Sequence, residues 1–539
     1  MADQSLRAAD ILARRLYAAG CRHAFGMPGG EVLTVVDALR KAGIRFVLCK
    51  HENAAGFMAE AVHHRDGAPA ILVATLGPGV LNAVNVVANA QQDRVPLIVI
   101  SGCADADEVA QYTHQIADHQ AVLGPVTKAS YRFSAGAAAI LADKAVSLAL
   151  QPRCGPVHID VPVGVAAKKV PSVEVFHRPP ASPVAPVEDD LQTARDWLAV
   201  SERPFAILGP DVMGDQSGPA VQAFLEKIGI PFVTSYKAKG VIDEDHPLCL
   251  GGCSISPLAD SHLLPLVERA DLVLSIGYDP IEMRPGWRNA WDPVRQNVID
   301  IVAEPNLHYM HQAGLNFIAD TGATVAALSE GVKPRATWPG GEPDTARAGL
   351  AAAFPATDEW GPAGVIAEAQ DVLPPDALIS VDTGAHRILL AQMWRTHEAR
   401  QMIQSTGLCT MGCALPMAIG TKLAEPDRAV VGFTGDAGML MGLGELATAG
   451  ELGVAPIIVV FVDASIGLIE MKQRQRQLAN VGVDMDRQDF AAIARAFGGN
   501  GETVRNRAEL RVALEAALSA DRFTVIAAEI EAGGYDGRI

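Results

Sequence analysis

Residues 434–467 read TGDAGMLMGLGELATAGELGVAPIIVVFVDASIG and hold two carboxylates where strands should end, Asp436 after a glycine and Asp463 after an apolar run. The run PIIVVFV has the composition of a strand buried on both faces, and MGLGELATAGEL has helical spacing of small and apolar residues. The segment therefore predicts a strand–helix–strand unit with one acid at the carboxyl end of each strand. Ligands collect outside such ends, where helix N-termini offer free N–H groups to phosphate. Oxygen ligands there suit Mg2+, which keeps some water and takes one or two carboxylates plus phosphate oxygens. The stretch points to a metal–diphosphate site, against the plainer reading of two surface acids with no metal.

A third carboxylate, Glu52 in FVLCKHENAAGFMAEA, follows an apolar strand and opens a helix whose early residues are small. Alone it reads as a helix-start charge, since acids favour the first turn. In an apolar pocket it would instead hold a proton for a ring nitrogen. The stretch TLGPGVLNAVNVVANA adds a GPG turn that brings backbone close to a flat ligand, and Asn82 to hydrogen-bond it. By itself a GPG turn means little. In QYTHQIADHQAVLGPVTKASYRF, His114 and His119 are each commoner as surface or core histidines than as proton donors, although histidine is the side-chain type suited to passing a proton at neutral pH. In LIEMKQRQRQLANVGVDM the facing of Glu470 and Lys472 depends on helix register, and KQRQR reads as a solvated or subunit-contacting face.

The elements that must position these residues fall into three α/β stretches. Runs such as AILVATLGP, PLIVISG and GPVHIDVP, then RPFAILGP, DLVLSIG and QNVIDIV, then ALISVDTG, AVVGFTGD and APIIVVFVD predict three doubly wound parallel sheets. Two Pro-rich segments, 170–190 and 331–349, read as extended linkers between them. The first and third stretches share their size and strand style. The N-terminal MADQSLRAADILARRLYAAG reads as an amphipathic, charged helix without the apolar core of a signal peptide.

A chain of 539 residues has room for about three domains. A charged fraction of only 20% argues against disorder, and a net charge of −18 without acidic blocks disfavours nucleic acid and anionic membranes. No long uncharged apolar stretch appears, so the expected setting is cytoplasmic and the expected partner a small molecule. The eight cysteines lack zinc spacing; Cys249/Cys253 and Cys409/Cys413 are the closest pairs, and His246 beside Cys249 is the sole hint of a metal. Buried free thiols are the expectation.

FGMPGGEVL near residue 25, the HENAAGFMAEA helix, TLGPGVLN and the acid–helix–acid unit follow one another in the order seen in thiamine-diphosphate enzymes. The chain resembles their acetolactate synthase, pyruvate oxidase and 2-oxo acid decarboxylase group, the acetolactate synthase large subunit above all. The resemblance spans the whole chain. It implies a pyrimidine-binding domain at 1–170, a central Rossmann-like domain at 190–332 and a diphosphate-binding domain at 355–539. It implies that Glu52 hydrogen-bonds N1′ of the aminopyrimidine, with Pro28, Gly29, Gly77 and Asn82 as further cofactor contacts. Gly384 and His386 of GAHRI, with Gly435, Asp436, Ala437 and Gly438, would meet the diphosphate, and Met411 of GLCTMGCALP would prop the cofactor into its bent form. Mg2+ would take Asp436, Asp463 and the Ser465 carbonyl. Gln115 matches a glutamine near the reaction centre and Lys128 a lysine of acetolactate synthases; with Glu52, His114 and His119 they form the candidate catalytic set.

Two departures from the family pattern stand out. Ala437 replaces the second glycine of GDG, and Asp463 stands where an asparagine ligand is expected. An aspartate adds charge beside Asp436 and a diphosphate and should make cofactor affinity more dependent on Mg2+. Aspartate here also occurs in fermentative acetolactate synthases, as does the IGYDPIE stretch at 276–282, which weakens the case for FAD. The implied activity is decarboxylation of a 2-oxo acid, with ligation of the remaining fragment to a second carbonyl of a 2-oxo acid or aldehyde. The alternatives are a simple decarboxylase or a carboligase with a non-pyruvate donor, and, in another class, a nucleotide-binding sensor without catalysis. The resemblance also implies homodimers or homotetramers with sites at subunit interfaces.

Overall fold

The structure, a computed structural model, describes residues 5–539 except 172–181, 183, 187–188, 215, 307 and 357–358. The first block is a parallel sheet of β1 (His23–Met27), β2 (Arg45–Leu48), β3 (Ala70–Ala74), β4 (Leu97–Cys103), β5 (Ala129–Arg132) and β6 (Val157–Pro162), in the order β2-β1-β3-β4-β6-β5. The central block comprises β7 (Pro204–Leu208), β8 (Phe232–Ser235), β9 (Cys249–Cys253), β10 (Leu272–Ile276), β11 (Asn297–Val302) and β12 (Leu315–Ile318), ordered β9-β8-β7-β10-β11-β12. The last has β13 (Leu378–Val381), β14 (Met402–Gln404), β15 (Val430–Gly435), β16 (Ile457–Val462), β17 (Asn500–Val504) and β18 (Thr524–Glu529), ordered β14-β13-β15-β16-β18-β17. The first and last sheets thus share one strand order, and the central sheet has the order of a dinucleotide-binding fold. Strands such as β4, β10 and β16 are buried along their whole length, as sheets covered by helices on both faces require.

The first and last blocks meet through two helices, Glu52–Asp66 and Ala414–Ala424. The first is buried almost all round, so it has no solvent stripe to lose. Gly420 permits the close approach, because a Cβ there would lie 2.4 Å from the Met58 carbonyl oxygen. One apolar cluster, with Met58 and Val86 from one side and Met417 and Ile458 from the other, runs through both blocks. Where all three blocks converge, a cavity of about 630 Å³ is lined in part by Arg94, Asp211, Lys237 and Arg400.

The N-terminal helix spans Ala8–Ala18 and buries Ala8, Ala9, Leu12, Ala13 and Leu16. The second Pro-rich segment is irregular over 332–338 only, and not an extended linker throughout. It carries the helix Glu342–Ala353, started by Pro343 in its first turn, and Trp338 is buried with Nε1 donating to the Pro204 carbonyl at 2.7 Å. Most of the first Pro-rich segment lies outside the described residues; at its edges Lys169–Pro171 pairs antiparallel with Ser5–Arg7, and Asp189 opens a helix. The single helix expected between the two acids is broken at Leu443 and Gly444 into Asp436–Gly442 and Glu445–Leu452. All eight cysteines are free thiols, six of them buried. His246 approaches Glu226 at 2.9 Å and joins no cysteine cluster. Among the described residues no helix is long and apolar enough to cross a membrane.

Candidate functional site

In the last sheet β14 lies on one side of β13, and β15 then β16 on the other, so a crevice opens at the carboxyl ends of β13 and β15. Asp436 leaves β15 and Asp463 leaves its neighbour β16, with Gly435 opposite Phe461 in the ladder. Both acids are buried, at 4% and 9% exposure. Asp436 accepts from the Ala437 N–H at 2.8 Å and the Ala464 N–H at 2.7 Å, and Asp463 accepts from the Ser465 N–H at 3.3 Å. Among the described residues neither is paired with a lysine or arginine. Burial, reinforced by the neighbouring Asp436 charge, pushes Asp463 up to about 7, and burial raises Asp436 as well. Two desolvated carboxylates, relieved only by the Arg487 charge acting on Asp463 without a direct ion pair, are costly alone and suited to a divalent cation. Tyr535 of the C-terminal segment is buried beside them, its phenol held un-ionised first by burial and then by both acids.

At the end of β13, a Cβ on Gly384 would lie 2.6 Å from the His386 ring. That ring stacks on Phe461 with centroids 5.4 Å apart and faces Gly435, whose added Cβ would sit 3.6 Å away. Burial lowers His386 to about 3, so the imidazole is neutral, and its buried Nε2 has no partner among the described residues. An orphaned ring nitrogen in a glycine-lined crevice fits a ligand that brings polar atoms of its own. Asp382 ties the crevice together. Its carboxylate accepts from the Gly412 N–H at 2.8 Å, the Thr383 N–H at 2.8 Å and the Thr434 hydroxyl at 2.8 Å, which fixes the half-buried Met411 against the Asp436 turn. Gly438 leaves room for this carboxylate, since its Cβ would come within 2.3 Å of Oδ2.

In the first block the equivalent strand ends are those of β1 and β3. Gly29 after β1 abuts Thr75 after β3, whose hydroxyl donates to Glu31 at 2.7 Å, while Pro28 is exposed. Glu52 is 4% exposed and accepts from Asn82 Nδ2 at 3.1 Å; a Cβ on Gly79 would lie 3.2 Å from its Oε1. Glu445 of the last block reaches across to accept from the Lys50 and His51 N–H groups at 2.9 and 3.0 Å, immediately before Glu52. Gly77 is left-handed at φ +65, and its N–H donates to His119 Nε2 at 3.0 Å.

Between β4 and the helix His119–Leu123, residues 106–115 are exposed, Tyr112, His114 and Gln115 among them. The stretch is pinned at its ends: Asp105 accepts from the Gly164 N–H at 3.0 Å, and Asp118 caps the next helix through the Ala121 N–H at 3.0 Å. Lys128 lies apart from this group, with Nζ donating to the Gln151 carbonyl at 3.2 Å beside Gly155. Glu470 is engaged by Arg474 at 2.6 Å, and the KQRQR run is largely solvated. Sequence reasoning missed Asp382, Glu445 and Tyr535. Asp382 had a signal, because it too is an acid directly after a buried strand.

The chain matches three family models in succession: "Thiamine pyrophosphate enzyme, N-terminal TPP binding domain" at residues 6–122, the central domain at 191–328 and the C-terminal TPP binding domain at 382–528. It is 29% identical over 97% of its length to acetolactate synthase isozyme 1 large subunit of Escherichia coli (strain K12), covering 94% of that protein. It is 26% identical over 96% of its length to acetolactate synthase of Bacillus subtilis (strain 168), covering 92%. A Pseudomonas aeruginosa protein named "Probable 2-ketoarginine decarboxylase" is likewise 29% identical over 97% of this chain and 94% of its own length. With two like sheets flanking a dinucleotide-type sheet, and paired acids at adjacent strand ends of the last, the chain belongs to the thiamine pyrophosphate enzymes and is similar to their acetolactate synthases.

Proposed function

We propose that the protein decarboxylates pyruvate and ligates the remaining fragment to a second 2-oxo acid, as an acetolactate synthase, using domains at 1–170, 190–332 and 355–539. The observation that carries the metal part of this reading is the buried Asp436–Asp463 pair, which among the described residues forms no ion pair with a lysine or arginine. Asp436, Asp463 and the Ser465 carbonyl would hold Mg2+, and His386 with Gly384, Gly435, Ala437 and Gly438 would receive the diphosphate. Glu52, steadied by Asn82, would hold a proton at N1′ of the pyrimidine, and Pro28, Gly29 and Gly77 would border that end. Met411, next to the Gly412 N–H that Asp382 holds, would act as the prop that bends the cofactor. When bound, thiamine diphosphate supplies the nucleophilic carbon and the electron sink for loss of CO2. The exposure of Gln115 and His114 supports a role for them in meeting substrate, whereas Lys128 bonds to the Gln151 carbonyl, apart from that stretch.

Exposed apolar side chains on the site-bearing segments, Leu81 beside Asn82 and Leu440 and Met441 in the helix opened by Asp436, support completion of each site by a second copy, as a homodimer or homotetramer. FAD is not expected: at the switch point of the central sheet, Asp211 and Asp279 both present carboxylates, already engaged by Arg94. A cytoplasmic setting accords with the acidic, thiol-bearing composition. A second reading, decarboxylation of a larger 2-oxo acid without ligation, is favoured by the equal identity to the 2-ketoarginine decarboxylase relative. The test is purified protein with thiamine diphosphate and Mg2+, assayed for CO2 and acetolactate from pyruvate and for CO2 from larger 2-oxo acids. Acetolactate supports the first reading and CO2 with aldehyde alone the second; no CO2 from any acid overturns both.

A further inference from the structure

A fully assigned chain of buried hydrogen bonds runs through the first block and ends on the Gly77 turn. The Gly77 N–H donates to His119 Nε2 at 3.0 Å, so that nitrogen carries no proton, and Nδ1–H points to Asp160 Oδ1 at 2.9 Å. Asp160 also accepts from the Ser101 hydroxyl at 2.6 Å. Ser101, having given its proton, accepts from His158 Nε2–H at 2.7 Å, and His158 Nδ1 accepts from the Ser130 hydroxyl at 2.7 Å. His119, Asp160, Ser101 and His158 are all 4% exposed or less. The strands hold this series in register, with Ser101 opposite Asp160 and Ser130 opposite His158.

The turn it holds is crowded on its other side. A Cβ on Gly77 would lie 2.5 Å from the Gln115 carbonyl oxygen, and Gln115 is itself left-handed at φ +59. Directly after Gly77 the helix Pro78–Gln92 begins, and its Gly79 and Asn82 are the groups that touch Glu52. One imidazole therefore sets the spacing between the Glu52–Asn82 pair and Gln115. Neither ring nitrogen is left over to face a substrate, which removes His119 from the role of proton donor. Resting on the function proposed above, we propose that His119 is a positioning residue: locked in its Nδ1–H tautomer by Asp160, it seats the Gly77 turn and so aligns Glu52 with the cofactor pyrimidine.

The test compares His119→Phe, which keeps the ring shape without acceptor or donor, with His119→Gln, whose amide offers both. Thiamine diphosphate affinity in the presence of Mg2+, the exchange rate of the cofactor C2 proton and kcat against KM are measured, with thermal unfolding as the folding control. Leaving the Gly77 N–H without a buried acceptor should weaken affinity and slow exchange together by roughly ten- to a hundredfold in the Phe variant. The Gln variant should recover to within a few-fold of the parent. Gly77→Ala, which strains the same turn and leaves His119 intact, should reproduce the Phe defect. If the Phe variant does not fold, Gly77→Ala carries the test, and unchanged exchange there overturns the proposal. Parent-like affinity and exchange in the Phe variant with loss only of a later protonation would restore the proton-donor role and overturn it. A parent protein that itself fails to bind the cofactor or exchange the proton would instead refute the proposed function.

Discussion

Replacing Asp463 with asparagine should make the metal-free protein more stable. Asp463 titrates near 7 in the folded chain against 3.8 as its ordinary value, because it is buried beside Asp436. A carboxyl so displaced costs about 4 kcal/mol of folding free energy once the pH exceeds 7. The penalty belongs to the coupled pair, and local relaxation takes up part of it, which leaves roughly 2 kcal/mol for asparagine to recover. The sign follows from proton binding. Between about pH 4 and 7 the folded state retains a proton that the unfolded chain has released, so stability of the metal-free parent falls as pH rises through this window. Unfolding in EDTA should therefore show Asp463→Asn above the parent at pH 8, with the gap narrowing as pH falls and closing near pH 4. Asparagine keeps an oxygen for the Ser465 N–H and for a cation, so cofactor binding should persist with a shallower dependence on Mg2+, whereas Asp436→Ala should abolish it. Identical midpoints for parent and Asp463→Asn in EDTA at pH 8 would refute the premise that the two acids are held together against their repulsion.

Glu52→Gln should still bind thiamine diphosphate but lose about a hundredfold or more in turnover, because an amide cannot cycle a proton; near-normal turnover would contradict the assignment. Mixing inactive Glu52→Gln chains with inactive Asp436→Ala chains should restore some activity, since a mixed dimer holds one intact site, and none after verified subunit exchange would place each site within a single chain. Burial lowers His158 to about 4 against an ordinary 6.5. Its contribution is complete above pH 6.5 and declines as pH falls towards 4, by about 3 kcal/mol. Urea unfolding at pH 7 and pH 5 should show a steeper loss in the parent than in His158→Gln, and equal slopes would remove His158 as the cause.

The strands were legible because uninterrupted Val, Ile and Leu runs such as PIIVVFV have few alternatives to a sheet covered on both faces. That the first and last sheets share one strand order was not, since pairing joins segments far apart in sequence. The same distance hid the supports of the site. Asp382 holds the Gly412 N–H 30 residues on, and Glu445 holds the Lys50 N–H 395 residues away. The segment 331–349 misled because its prolines and glycines were read as extended chain, although proline in a first helical turn, as at Pro343, forfeits no hydrogen bond. Asp436 and Asp463 stood out by type and position, whereas Glu52 alone read as a helix-start charge and took its candidate role from the family resemblance. The partners of His119 were not legible, because which groups occupy a histidine's two nitrogens is set by segments far apart in sequence.

The exposed stretch 106–115 is anchored at both ends and contributes nothing to the apolar clusters. Substitutions there escape the stability threshold that polices the sheets and the packed helices. Selection can therefore retune what enters the crevice while the frame beneath stays intact, and drift in specificity need not wait for compensating changes in the core. Relatives at the same 29% identity carry names as chemically distant as acetolactate synthase and 2-ketoarginine decarboxylase. On the proposed function, an exposed stretch free of packing duties beside a packed frame would let one architecture accommodate both.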